Sequence, residues 1–298
     1  MSLIPLDAAW RKAHPLPDHG DSTDKNARGR VLLIGGSAFV PGALRLTAEA
    51  ALRAGAGKLQ MATVETASMP LGVLVPEAAM IGLPADADGE IAPEAAEIVS
   101  GHLDRCDALV MGPGMSSHDN ARALLEQILP RPTHGPTIVL DAAAVSCVSE
   151  MAEAIAAHEG RVVMTPHHGE MASLTGLTTE EIADDPALAA TDTARRFRAV
   201  IVLKAAETLI ATPDGDLIHY AGGCVGLATG GSGDVLAGII GGLAARGADP
   251  VAAAAWGVWL HGEAGQAASA RLGPIGFLAR DLVEEIPGLM ARASEALP

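Results

Sequence analysis

The stretch ATGGSGDVLAGIIGGLAARG, residues 228–247, sets three glycines and an acid directly ahead of an apolar segment with helical spacing. From Asp234 onward, Val235, Ile239 and Leu243 recur every four residues, and Leu236 and Ile240 fill the neighbouring row. That stripe marks a core-facing helix and predicts a start between Ser232 and Asp234. Glycine loses much conformational freedom on folding and packs no side chain, so a cluster of glycines belongs where backbone must approach something closely. The first amides of a helix have no partner within it and carry partial positive charge, which makes this entrance a ready site for an anion such as phosphate. The same residues also read as an ordinary helix start, with Thr229, Ser232 or Asp234 as cap and the glycines as a tight turn. Both readings stand until more of the chain is considered.

At 298 residues the chain suffices for one large α/β domain or two small ones with a sizeable core. Hydrophobic residues make up 49% and charged residues 19%, a globular balance. Aromatics are 2%, with Tyr220 the single tyrosine, so core volume must come from Ala, Val, Leu and Ile, and stacking platforms for bases are scarce. A net charge of −16 with no Lys/Arg-rich run argues against a nucleic-acid partner, since phosphate backbones are bound by basic surface. A small anionic ligand would need a local pocket of amides and a few cations. Cys106, Cys147 and Cys224 are odd in number and widely spaced, which fits neither a disulfide framework nor a zinc motif and predicts reduced thiols in a cytoplasmic protein. Residues 1–30 lack the apolar core of a signal peptide, and no stretch reaches membrane-spanning length free of charge, so no membrane partner is expected.

Short apolar runs alternate with longer Ala/Leu-rich helical patterns. VLLIGGS (31–37), KLQMATV (58–64), ALVMGPG (108–114), TIVLDAA (137–143), RVVMTP (161–166) and AVIVLK (199–204) read as strands, and ALRLTAEAALRAGAG (43–57) reads as a helix closed by Gly55 and Gly57. The rhythm predicts an α/β fold, a mostly parallel central sheet with helices on both faces. TLIATPDGDLIHYA (208–221), turning at Pro213-Asp214-Gly215, predicts a β-hairpin at one sheet edge. Residues 1–28 read as a polar lead-in and 29–298 as a single domain. In open α/β sheets ligands collect beyond the carboxyl ends of the strands. Gly35 and Gly36, Gly112 and Gly114, Asp141, His167 with Glu170, and Lys204 all follow apolar runs and fall at those ends.

The ordered set GRVLLIGGS, PGALRLTAEAALRAGAG, DALVMGPGMS, VLDAAAV, TPHHGEMASLTG, VLKAAET and ATGGSGDVLAGII resembles the ADP- or ATP-dependent NAD(P)H-hydrate dehydratases, from about residue 29 to residue 285. The GSGD element is common to ribokinase-like kinases, whereas GGS, AALRAGAG, GPG and TPHHGE together point to the dehydratase branch. The resemblance implies a ribokinase-like fold and a hydro-lyase that restores the S epimer of hydrated NADH or NADPH. In that family the ring hydroxyl is phosphorylated by ADP or ATP, with Mg²⁺, and phosphate then leaves. By this resemblance Asp234 is the base that orients the hydroxyl, and Gly230, Gly231, Ser232 and Gly233 supply the anion hole. Lys204, Ala205, Ala206, Glu207 and Thr208, with Gly233, correspond to nucleotide-binding positions. Ala43, Gly114 and His167, with Asp234, correspond to positions that touch the hydrated dinucleotide. Asp141 and Glu170 resemble acids near the phosphates and are the candidate magnesium ligands.

Each of these residues has a plainer reading. His167 with His168 could be a surface pair, Lys204 a solvated strand end, Glu170 a helix cap, and Asp141 a turn opener. KAAET stands where the family has KGAGT, GGCVGLATGGSGD where it has GNPGMATGGSGD, and DAAAV where it has DADAL. A left-handed backbone at Ala205 or Glu207 would therefore be strained. Two other function classes remain open: a ribokinase-like kinase of a small alcohol, and a non-catalytic nucleotide-binding relative. The resemblance also implies a homo-oligomer, often a tetramer. With about 28 residues ahead of the pattern, the epimerase that interconverts the hydrate epimers is expected as a separate protein.

Overall fold

The apolar runs without alternation become strands covered on both faces, as parallel strands require. The structure, a computed structural model, describes residues 3–17, 27–130 and 135–295. The strands are β1 (Leu3–Pro5), β2 (Arg30–Ile34), β3 (Lys58–Val64), β4 (Ala78–Leu83), β5 (Ala108–Met111), β6 (Thr137–Leu140), β7 (Val162–Met164), β8 (Val200–Leu203), β9 (Thr208–Ala211) and β10 (Leu217–Tyr220). They form one sheet in the order β1-β10-β9-β8-β7-β6-β5-β2-β3-β4. From β4 across to β8 every pairing is parallel, so all those carboxyl ends face the same way. The chain runs outward from β2 to β3 and β4, then returns to β5 on the other side of β2. The loops after β2 and β5 therefore diverge over a crevice, the place where ligands bind in such sheets.

The expected hairpin is β9–β10, antiparallel, with Gly215 N–H donating to Thr212 O at 3.0 Å across the Pro213-Asp214 turn. It lies one strand in from the edge. Leu3–Pro5, within the stretch read as a polar lead-in, pairs parallel with β10 and covers the edge that the hairpin would otherwise expose. Asp7 caps the helix Ala8–Ala13, Trp10 is buried, and the indole of Trp256 donates to His14 O at 2.7 Å, so this segment packs on the body of the fold. Residues 1–2 and 18–26 of the lead-in lie outside the described residues. No helix among the described residues is long and apolar enough to cross a membrane.

The helix announced by the opening stretch spans Ser232–Ala245 and is buried along nearly its whole length. Its second group of glycines serves packing. A Cβ at Gly238 would collide with Thr47 O, one at Gly242 would stand 2.5 Å from Ala51 O, and one at Gly241 would collide with the Val110 side chain. Two glycines a turn apart thus admit the helix Gly42–Arg53 to backbone contact, while the third admits β5. Gly238→Ala is therefore expected to destabilise the fold by about 2 kcal/mol or more, because the obstacle is backbone and cannot rotate aside. Urea unfolding checks this, and a midpoint like that of the wild type would show that the two helices separate freely.

Candidate active site

The helix Ser232–Ala245 starts on Gly231, whose backbone is left-handed at φ 90°, and no side chain caps it. Thr229, Ser232 and Asp234 thus do not fill the cap role that the local pattern offered. The Ser232 amide donates to Thr229 O at 3.2 Å and so does not join the anion hole expected of it, whereas the Gly233 and Asp234 amides stay available to an outside acceptor, which favours the anion reading. Gly231 also admits a neighbour: a Cβ there would stand 2.5 Å from Leu46 Cδ1, on the helix that begins beside Ala43.

Facing the entrance is a charged cluster drawn from the ends of β6, β7 and β8. Lys204 Nζ donates to Asp141 Oδ1 at 2.9 Å, and Thr165 Oγ1 donates to the same oxygen at 2.6 Å. Glu170 Oε2 lies 3.8 Å from Lys204 Nζ. A Cβ at Gly233 would stand 3.4 Å from Lys204 Nζ and 3.9 Å from Asp141 Oδ2, so these side chains border the helix entrance itself. Burial would lift the Asp141 carboxyl, yet Lys204 and Thr165 outweigh it and hold the group below the usual carboxylate range. Burial would likewise depress Lys204, but Asp141 and Glu170 raise it above its ordinary value. Lys204 is therefore no solvated strand end, and Asp141 does more than open a turn.

Asp234 has the opposite balance. Burial, then the negative charges of Asp141 and Glu170, outweigh Lys204 and push its carboxyl up to about 7. A carboxylate poised near neutrality beside a cation and an open helix end is suited to accept a proton.

His167 and Glu170 form a capping box at the helix His168–Thr175. The His167 amide donates to Glu170 Oε2 at 2.8 Å, and the Glu170 amide donates to His167 Nδ1 at 3.2 Å. Glu170 is thus a cap and a neighbour of Lys204 at once. His167 remains largely exposed and borders, with Met115, Ala142 and Glu170, an open cleft of about 310 Å³. Its partner in the sequence turns elsewhere, for His168 Nε2 is buried without a hydrogen bond among the described residues. Ala142, in that cleft directly after Asp141, has φ 49° and ψ −125°, a costly conformation of the kind that collects at functional sites.

Ala43, in the first turn of the helix Gly42–Arg53, and Gly114, on the loop beyond β5, also come together. Gly36 N–H donates to Pro113 O at 2.7 Å, and a Cβ on Gly114, at φ 73°, would stand 2.6 Å from Val40 O and 3.0 Å from Ala43 Cβ. Glu90 orders the same loop, accepting from the Ser116 amide at 3.0 Å and from its hydroxyl at 2.7 Å.

The structure does not gather Ala205, Ala206 and Glu207 into this cluster. They line a second cavity with His168, Leu209 and His219, and Glu207 Oε2 lies 2.6 Å from His219 Nε2. Neither Ala205 nor Glu207 is left-handed, so the strain a side chain would meet there is absent. Thr208 opens β9 opposite Tyr220. Sequence reading missed Thr165, although it ends the β7 run beside Pro166, and missed His261. The latter meets Ser232 from 29 residues away and carries no local signal.

The architecture is ribokinase-like: a ribokinase-like superfamily protein from Enterococcus faecalis superposes with a TM-score of 0.83 at 26% identity, over 99% of this chain and 97% of that one. An ADP/ATP-dependent NAD(P)H-hydrate dehydratase from Bacillus subtilis, co-crystallised with ATP/Mg²⁺, matches all of both chains with a TM-score of 0.81 at 28% identity. An ADP-dependent (S)-NAD(P)H-hydrate dehydratase from Xanthomonas campestris is 44% identical over 294 residues, 96% of each chain. The bifunctional NAD(P)H-hydrate repair enzyme Nnr of Moorella thermoacetica is 38% identical, and this chain covers 54% of it. The NAD(P)H-hydrate dehydratase family model matches residues 31–288, and the chain belongs to that family.

Proposed function

We propose that the protein dehydrates the S epimer of hydrated NADH or NADPH at the entrance of the helix Ser232–Ala245, with ADP or ATP as phosphoryl donor. The observation that carries this reading is Asp234, a carboxyl held near neutrality at an uncapped helix end beside Lys204, Asp141 and Glu170. Asp234 takes the proton of the ring hydroxyl as its oxygen attacks the terminal phosphorus of the nucleotide, and the bond to the nucleotide's bridging oxygen breaks. The amides of Gly230, Gly231 and Gly233 and the Lys204 ammonium face the charge that spreads over the transferring group. Phosphate then leaves the ring carbon as the ring nitrogen pushes in its lone pair, and the adjacent carbon gives up a proton to restore the double bond. His167, with Ala43 and Gly114, holds the dinucleotide, and the segment Lys204–Thr208 lies along the adenine nucleotide.

The donor set suits Mg²⁺ held in the usual way, by one or two carboxylates, waters and substrate phosphates. Among the described residues there is no group of three or more ligands that would cage a metal without substrate. Asp141 Oδ2 faces Gly233 and Glu170 stands beside it across Lys204, so these two would hold the ion. When bound it neutralises phosphate charge. The reading includes a cytoplasmic homotetramer that works with an epimerase, and relatives named bifunctional repair enzymes are consistent with a second activity beside this one.

Recovery of dihydronicotinamide absorbance tests the reading, with hydrated NADH or NADPH mixed with protein, Mg²⁺ and either ADP or ATP. Recovery that requires nucleotide supports it and names the donor. Accumulation of a phosphate ester without recovery would instead mark a kinase. The pH dependence follows from Asp234. Its basic form fills as pH rises through about 7, so kcat/KM should climb nearly tenfold per pH unit below that value and level off above it. A flat profile from about pH 5 to about pH 9 would remove Asp234 from the base role.

A further inference from the structure

The helix entrance has a neighbour that no motif contains. His261, partly buried on the helix Pro250–Leu272, places Nε2 2.9 Å from Oγ of Ser232, the first residue of the helix that carries Asp234. Ser232 is buried, at 5% exposure, so this bond is shielded from competing water. A serine at a helix start ordinarily turns its hydroxyl onto nearby backbone groups. Here the hydroxyl is engaged by the imidazole, and the helix begins without a side-chain cap.

We propose that His261 is a positioning residue for the reaction: by binding the Ser232 hydroxyl it holds the first helical turn, with its open amides and Asp234, in the reactive arrangement. The inference rests on the phosphoryl-transfer reading above. Its chemistry is consistent with the surroundings. Burial depresses the ring to about 4 against a hydrogen bond with the Ser232 backbone that raises it, and the charge of Lys204 adds a smaller push down, so the imidazole is neutral at working pH and adds no second cation to the anion site. A hydrogen bond between side chains 29 residues apart, on two different helices, also fixes the rotation of the shorter helix, which a cap within its own loop would not.

The test is a double-mutant cycle on the holoprotein, with kcat and nucleotide KM measured separately. Ser232→Ala and His261→Leu should each lower kcat about tenfold with nucleotide KM changed less than about threefold, since a small misplacement at the reacting centre is costly. The double variant should be no slower than the slower single one, because both break the same bond. His261→Gln, whose amide reaches a similar position, should recover most of kcat. Additive losses, or a Ser232→Ala variant within about twofold of wild type, would overturn the inference. Should His261→Leu fail to fold, His261→Ala takes its place in the cycle beside Ser232→Ala. Wild-type protein runs in parallel, and absence of turnover there would instead sink the phosphoryl-transfer reading and this inference with it.

Discussion

Asp234→Asn is expected to lower kcat by about 10²–10⁴-fold while nucleotide binding stays within about twofold of wild type. The amide keeps the shape of the carboxylate but cannot take the hydroxyl proton. Stability should move the other way. Asp234 has its usual value near 3.8 in the unfolded chain and about 7 in the folded one. The folded state therefore holds this proton more tightly, so the stability it contributes is present below about 4 and is lost as pH rises through about 7. Asparagine stays neutral and escapes that loss. At pH 8 the variant should thus melt at or above the wild-type temperature while being nearly inactive. Turnover by the variant at a wild-type rate would refute the base assignment, and a lower melting temperature would refute the electrostatic account.

Lys204→Met is expected to destabilise the protein by about 3 kcal/mol, the low end of what removing one partner of a buried ion pair costs. The Asp141 side chain is 4% exposed and would lose its counter-charge, while Lys204, at 21%, retains some contact with water, which is why the low end applies. Thr165 would remain as a donor to Asp141 but cannot neutralise it. Adding Asp141→Asn should return most of the loss, since a neutral amide needs no counter-charge. Urea unfolding of both singles and the double measures this directly. A single variant as stable as wild type would return Lys204 to the role of a solvated strand end.

Much of this site was legible along the chain because its groups sit at strand ends that local patterns reveal. Asp141 follows TIVL, His167 and Glu170 follow VVMTP, and Lys204 follows VIVL, so the parallel sheet that those runs predict must bring them to one side. The opening stretch likewise announced its helix to within a residue or two, since an apolar stripe every three to four positions admits few other structures. The edge hairpin was read from its turn, yet the three residues that cover it were not. A strand of three residues has too little pattern to stand out, and Leu3–Pro5 becomes one only because β10 offers an open edge.

Periodicity, turn residues and motif order along the chain were enough to establish the α/β class, the direction of the strands and the family, because each of these depends on neighbours within a few turns. Folding alone settled how the glycines are used and how the acids are charged. Gly231 opens the helix entrance, whereas Gly238 and Gly242 seat a helix from the other end of the chain. Asp141 and Asp234, identical in sequence terms, take opposite pKa shifts because burial, helped by two carboxylates, lifts Asp234, whereas at Asp141 the contacts with Lys204 and Thr165 outweigh burial. Distances between residues far apart in the chain set those energies, and a linear pattern carries no record of them.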